Sequence, residues 1–126
     1  MTTGKKLFRK HECAQQTLIA PVDLQEGYQG KILLVRIVGG KAHGNVCLRS
    51  GDEWHREILQ KTKREIQDLG FEDSHVVPVG GAWVRFEKDT TVVVYGSSDE
   101  FGDCNKKTAA ALISSAFPGR QIIVRP

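Results

Sequence analysis

The sequence predicts a single α/β domain, a mixed six-stranded sheet flanked by two helices. Three observations carry this. Short β-branched apolar runs recur along the chain. One long stretch places its apolar residues at helical spacing. The segment Val92–Ser115 reads as a strand, a small-residue turn and a helix. Strands and helices joined by such mixed connections make a layered domain with both parallel and antiparallel neighbours.

Residues 1–27 lack sustained periodicity and read as a flexible basic arm. Lys5, Lys6, Arg9 and Lys10 all precede the first acid, Glu12. No apolar core follows them, so a disordered tail is expected rather than a secretory signal. Thr17–Ala20, ahead of Pro21, offers an edge strand. The folded domain is expected over residues 28–126.

Lys31–Val38 (KILLVRIV) is the first strand of that domain. Ile32, Leu33, Leu34 and Val35 are apolar on both faces, which suits an interior position in the sheet. Gly39-Gly40 ends it, and Asn45–Arg49 forms a shorter strand. Ser50-Gly51-Asp52-Glu53 then offers helix caps, with Ser50 and Glu53 at capping-box spacing. Trp54, Ile58, Leu59, Thr62, Ile66 and Leu69 line one face of the helix, and Gly70 stops it. Ser74–Val79 and Trp83–Glu87 read as two strands joined by a Gly80-Gly81 turn. Val92–Val94 is a buried strand ended by Tyr95-Gly96. Asp103 is placed to cap the second helix, which carries Ala109, Leu112, Ile113 and Ala116. Pro118-Gly119 breaks that helix, and Gln121–Arg125 is the last strand.

Composition narrows the function classes. At 126 residues, 40% apolar and 26% charged, the chain reads as a soluble globular domain. No run approaches the roughly 18 apolar residues of a membrane span, so no membrane partner is expected. Cys13, Cys47 and Cys104 show no CxxC spacing. That argues against a disulfide framework or a cysteine-based zinc site and suits a reducing, cytoplasmic compartment. The net charge is +3, and four of the bases lie in the arm. The folded part is therefore close to neutral, which offers some support for an anionic ligand and little for nucleic acid. No RNP-type motif occurs, and a nucleic-acid partner is not expected.

The chemistry concentrates at two places. His55 lies in the first turn of the first helix, whose positive end disfavours imidazolium and attracts anions. A neutral imidazole there is a nucleophile or a general base; the plainer alternative is a surface histidine with no role. The turn between Val94 and the second helix (Gly96, Ser97, Ser98, Asp99, Glu100, Phe101, Gly102) leaves backbone N–H groups free to cradle an anion, or else simply reverses the chain. Lys31, at a strand entry, either points its ammonium at such a site or is solvated. No G-x-S-x-G elbow, P-loop lysine or metal-ligand spacing occurs, so neither a metal nor a cofactor is called for.

Five segments, in order, resemble a known family: KILLVRI at 31–37, EWHREI at 53–58, PVGGAWV at 78–84, VVYGSSDEFG at 93–102 and TAAALISSAFP at 108–118. Together they resemble the small phosphohistidine phosphatases, also called the Janus family, from about Lys31 to Val124. The resemblance implies a mixed six-stranded sheet with helices on both sides. It implies removal of phosphate from phosphohistidine, and in some members phospholysine, without a metal. The implied partners are histidine-phosphorylated proteins or peptides and phosphate itself. His55 matches the catalytic histidine, as nucleophile or general base, and Lys31 a basic residue at the phosphate site. Backbone N–H groups of the Gly96, Ser97, Ser98 and Glu100 loop, with that of His55, would cradle the phosphate. The family often has an arginine directly after its glycine turn. Here Ala82 and Trp83 follow, and Arg85, on the same strand face as Trp83, is the nearest substitute. A phosphate-binding protein without turnover and a basic nucleic-acid-binding domain are the alternative readings.

Overall fold

The computed structural model describes residues 19–126. The basic cluster at Lys5–Lys10, Cys13, Thr17 and Leu18 lie outside the described residues. The elements run β1 (Gln29–Val38), β2 (Val46–Ser50), α1 (His55–Asp68), β3 (His75–Phe86), β4 (Thr91–Tyr95), α2 (Lys106–Ala116) and β5 (Gln121–Val124). The sheet order is β2-β1-β3-β4-β5. All pairs are antiparallel except β4–β5, so the sheet is mixed as expected.

Period-two alternation divides the core between the two faces. Ile32 and Leu34 of β1, Ala82 and Val84 of β3, and Val92 and Val94 of β4 pack under Ala109 and Ile113 of α2. On the opposite face Leu33, Val35 and Ile37 meet Ile58, Leu59 and Ile66 of α1. One helix therefore covers each face. β1 and β4 are apolar on both sides because each has strand neighbours on both edges and packed side chains on both faces.

The sheet has five strands rather than six. The two strands expected at Ser74–Val79 and Trp83–Glu87 are one continuous strand, β3, and Gly80-Gly81 is not a turn. The β1–β3 register shifts between Leu33 and Val35, a bulge that opposes Leu34 with an extra β3 residue. The chain from Gly102 to Cys104 crosses against this bulge. The Gly81 N–H donates to the Gly102 carbonyl at 2.9 Å, and the Cys104 N–H to the Gly81 carbonyl at 3.2 Å. A Cβ on Gly80 would lie 2.6 Å from both the Asp103 carbonyl oxygen and the Cys104 Cα. These glycines admit a crossing backbone, which is the other physical use of a Gly-Gly pair.

Both helix starts differ from the expected caps. Trp54, not Ser50, is the N-cap of α1, and it makes no side-chain cap bond. Ser50 is the last residue of β2, and its hydroxyl donates to the Asp23 carbonyl at 2.6 Å. Asn105, not Asp103, caps α2. Trp54 also leaves the apolar face assigned to it and is 54% exposed. Part of the expected arm packs on the body: Ile19 and Leu24 are buried. Val22 makes an edge contact as an isolated parallel bridge to Leu48, and of the expected Thr17–Ala20 strand the described residues, Ile19 and Ala20, are not in a strand. α1 is tied to β2 by the buried Arg49, whose Nε and Nη2 donate to the two Glu65 carboxylate oxygens at 2.8 and 2.9 Å.

Candidate functional site

A cavity of about 320 Å³ opens where the start of α1 meets β1, β3 and the loop after β4. His55 is the first residue of α1 and is only 6% exposed. Its Nε2 lies 3.1 Å from the Ala82 carbonyl oxygen. A carbonyl only accepts, so Nε2 carries the hydrogen of the neutral ring and Nδ1 keeps the lone pair. The β3 bulge makes this contact possible. A Cβ on Gly81 would lie 2.6 Å from His55 Cδ2, 2.7 Å from Nε2 and 2.9 Å from the Ser98 Cβ. Gly81 thus gives the ring its seat.

The imidazole is held below its ordinary value of 6.5. Burial is the main cause, and the nearby Lys31 ammonium acts in the same direction. The Ala82 and Ile32 backbone and the Asp99 carboxylate oppose them without prevailing. His55 is accordingly neutral near pH 7.

Lys31 stands at the cavity mouth. It pairs across strands with Trp83. Its Nζ donates to the Glu53 carbonyl at 2.7 Å and lies 4.4 Å from the Trp54 ring centroid and 5.2 Å from that of Trp83. Two indole faces and a carbonyl hold the ammonium at this spot without neutralising it.

The loop after β4 forms the opposite wall. Ser98 is buried, and its hydroxyl accepts from the Glu100 and Phe101 N–H groups at 3.3 and 3.0 Å. This side chain shapes the turn. Several expected cradle donors are already engaged. The Gly96 N–H donates to the Pro126 carbonyl at 3.1 Å, and the Ser98 N–H to the Gly102 carbonyl at 3.2 Å. Among the described residues the N–H groups of Ser97, Asp99, His55 and Arg56 have no acceptor. All four residues line the cavity. The available donors are therefore Ser97 and Asp99 in the loop and two residues at the helix start.

Of the residues expected from sequence, Lys31, His55, Ser97, Ser98 and Glu100 line one cavity, while Gly96 and Arg85 do not. Arg85 lies one step out on the same face of β3. Its Nε donates to Glu87 at 3.0 Å, and its guanidinium rests 5.3 Å from the Tyr95 ring centroid. Sequence reasoning placed Asp99 in the anion-cradling turn but did not assign Trp54, Arg56 or Trp83 to the site. Arg56 had a readable signal, since it follows His55 at the positive end of the helix. The cavity brings together Lys31 and Arg56 with Asp99 and Glu100. It is dipolar rather than simply basic.

No group of three or more His, Cys, Asp or Glu side chains among the described residues could hold a metal ion. Cys47 and Cys104 are buried free thiols, and burial pushes both above the usual thiol range. No helix among the described residues is long and apolar enough to cross a membrane.

The Janus/Ocnus family model matches residues 16–121. The chain belongs to the Janus/Ocnus family. The match takes in all of β1 through α2, including every residue that lines the cavity. It begins ahead of Ile19 and so includes the segment that packs beside β2. A comparison with curated proteins returns no match.

Proposed function

We propose that this Janus/Ocnus protein is a metal-independent protein phosphohistidine phosphatase, able in principle to accept phospholysine as well. The observation that carries the reading is a buried, neutral His55 sharing one cavity with Lys31, Arg56 and unengaged backbone donors. The N–P bond of phosphohistidine is weak, and its imidazole leaves readily once protonated. The protein must then hold the phosphoryl oxygens and supply one basic nitrogen. Lys31, Arg56 and the N–H groups of His55, Arg56, Ser97 and Asp99 serve the first need.

His55 serves the second. With Nε2–H bonded to Ala82, Nδ1 offers a lone pair. It is given either to phosphorus, forming a phosphoenzyme that water then cleaves, or to a proton of the attacking water. In both routes the substrate N–P bond breaks, its imidazole leaves carrying a proton, and inorganic phosphate is released. Asp99, whose charge favours protonated His55, steadies the ring when it holds a proton.

The test is phosphate release from a phosphohistidine peptide with EDTA present. His55→Ala is expected to lose roughly 10²- to 10⁴-fold in kcat. Full activity in that variant would overturn the mechanism. Acid quenching with ³²P-labelled substrate separates the two routes, because only the first leaves label on the protein. A second reading is favoured by the engagement of Lys31 with Glu53 and of the Gly96 and Ser98 N–H groups within the loop. It is a phosphoprotein-binding protein without turnover, recognised by tight binding of the same peptide with no phosphate released.

A further inference from the structure

A second and larger cavity, about 810 Å³, adjoins the first and shares Lys31, Trp54 and Trp83 with it. Its character is different. Tyr28, Trp54 and Trp83 supply aromatic walls, Gln29 supplies an amide, and Asp52 and Glu53 supply two carboxylates. Among the described residues Lys31 is the one cation in its lining, and it stands at the boundary with its Nζ turned onto the two indoles and the Glu53 carbonyl. Lys61 lies behind the lining, its Nζ donating to the Gly51 carbonyl at 3.3 Å. Neither carboxylate forms a salt bridge among the described residues. Among the described residues Asp52 accepts only from the Glu53 N–H, at 3.0 Å.

This groove suits the phosphoryl group less well than the first cavity does: Asp52 and Glu53 face Lys31 alone, whereas Asp99 and Glu100 are matched there by Lys31, Arg56 and open N–H groups. It suits what is attached to that group. A protein substrate whose phosphorylated side chain enters the 320 Å³ cavity must lay its neighbouring residues outside it, and the adjoining groove is contiguous through Lys31, Trp54 and Trp83. Aromatic faces and carboxylates together recognise a cation on a long apolar stem.

We propose that this groove is the subsite for the polypeptide flanking the phosphorylated residue, and that it selects a lysine or arginine next to that residue. The inference rests on the phosphatase reading, and it names the substrate class as basic-flanked phosphoproteins. Asp52 and Glu53 are specificity residues in this account; they touch the flanking cation and not the reacting atoms. The two cavities then differ in charge balance. Donors and the paired cations hold the phosphoryl group, the Asp52 and Glu53 carboxylates with the Tyr28 ring hold the neighbouring base, and Lys31, seated on the two indoles, separates the two.

The experiment uses three synthetic phosphohistidine peptides of one length, with lysine, alanine or glutamate on both sides of the phosphorylated residue. Each is also made without phosphate. Phosphate release and calorimetric binding are measured for wild type and for an Asp52→Asn/Glu53→Gln double variant. The ratio of lysine to glutamate peptide is the readout, because removing two negative charges alters affinity for every anionic peptide. Wild type is expected to favour the lysine peptide by roughly fivefold or more in KM with little difference in kcat, and 0.5 M salt should shrink that preference. The double variant should lose most of it, and the unphosphorylated peptides should show the same order in binding. Equal treatment of the peptides by wild type, or an unchanged ratio in the variant, would overturn the proposal. If no peptide is hydrolysed yet the binding preference stands and the variant abolishes it, the subsite holds and the phosphatase reading is what fails.

Discussion

The two helices begin in opposite ways. At α2 the Asn105 side chain accepts from the N–H groups of Lys107 and Thr108 at 3.1 and 3.2 Å. At α1 the cap is Trp54, whose side chain has no oxygen to offer, and the first two N–H groups find no acceptor among the described residues. An uncapped helix start costs about 1 kcal/mol relative to a good cap. The fold accepts that cost at the helix that faces the cavity and avoids it at the one that does not. Donors left open in a partly enclosed site are donors available to an anion. The comparison therefore separates a helix start closed by its own cap from one left open to the cavity.

The largest effect is expected at Gly81, which has no counterpart at α2. Gly81→Ala drives a methyl into the His55 ring and the Ser98 Cβ, so the ring must leave its seat. Turnover of a phosphohistidine peptide should fall by about 10²-fold. The urea midpoint should drop by the equivalent of about 1–3 kcal/mol. Wild-type turnover in this variant would mean that the position of His55 does not matter.

Trp54→Ser gives α1 the kind of cap that α2 already has. The serine oxygen would compete for the N–H groups near Arg56, and phosphate affinity measured by titration should weaken roughly fivefold. Unchanged affinity would show that the open donors play no part in binding. The converse change, Asn105→Ala, should destabilise the protein by about 1 kcal/mol in denaturant melts and leave phosphate affinity as it was. A loss of affinity there would erase the distinction between the two helices.

The smallest effect is on pH dependence. His55 titrates below 6.5, so the neutral ring persists on mild acidification and activity is lost only as pH falls through the lowered value. The same sign holds for stability. The contribution of the neutral buried ring is fully present above the unfolded value and disappears as pH falls through the folded one. Lys31→Met removes a charge that lowers this pKa, so the acid limb of kcat/KM should move to higher pH. A shift to lower pH, or none, would mean that Lys31 does not act on His55.

Much of the fold was legible because it follows from local pattern. The apolar runs at Lys31–Val38 and Val92–Val94 could be buried only as interior strands, and the spacing of Ile58, Leu59, Thr62 and Ile66 could bury only one face of a helix. The strand count failed at Gly80-Gly81 because a glycine pair marks either a turn or a close backbone approach. Which one depends on a segment more than twenty positions away. The caps failed for a related reason. Ser50 and Glu53 have capping-box spacing, but Ser50 completes β2 and its hydroxyl is taken by Asp23. Arg85 looked close along the strand, yet Glu87 and Tyr95 hold it one step outside the cavity.

By itself the sequence determined the class of the domain, the interior strands, the covering helices and two chemical markers, His55 at a helix start and Lys31, expected at a strand entry and found two residues inside β1. Periodicity and helix polarity are properties of neighbours along the chain, so they can be read from it. Only the tertiary structure decided that Gly81 seats the imidazole, that Trp54 and Trp83 hold the Lys31 ammonium, and that the open donors are those of Ser97, Asp99, His55 and Arg56. Each of these depends on a contact between residues distant in sequence, and such contacts are set by how the layers pack.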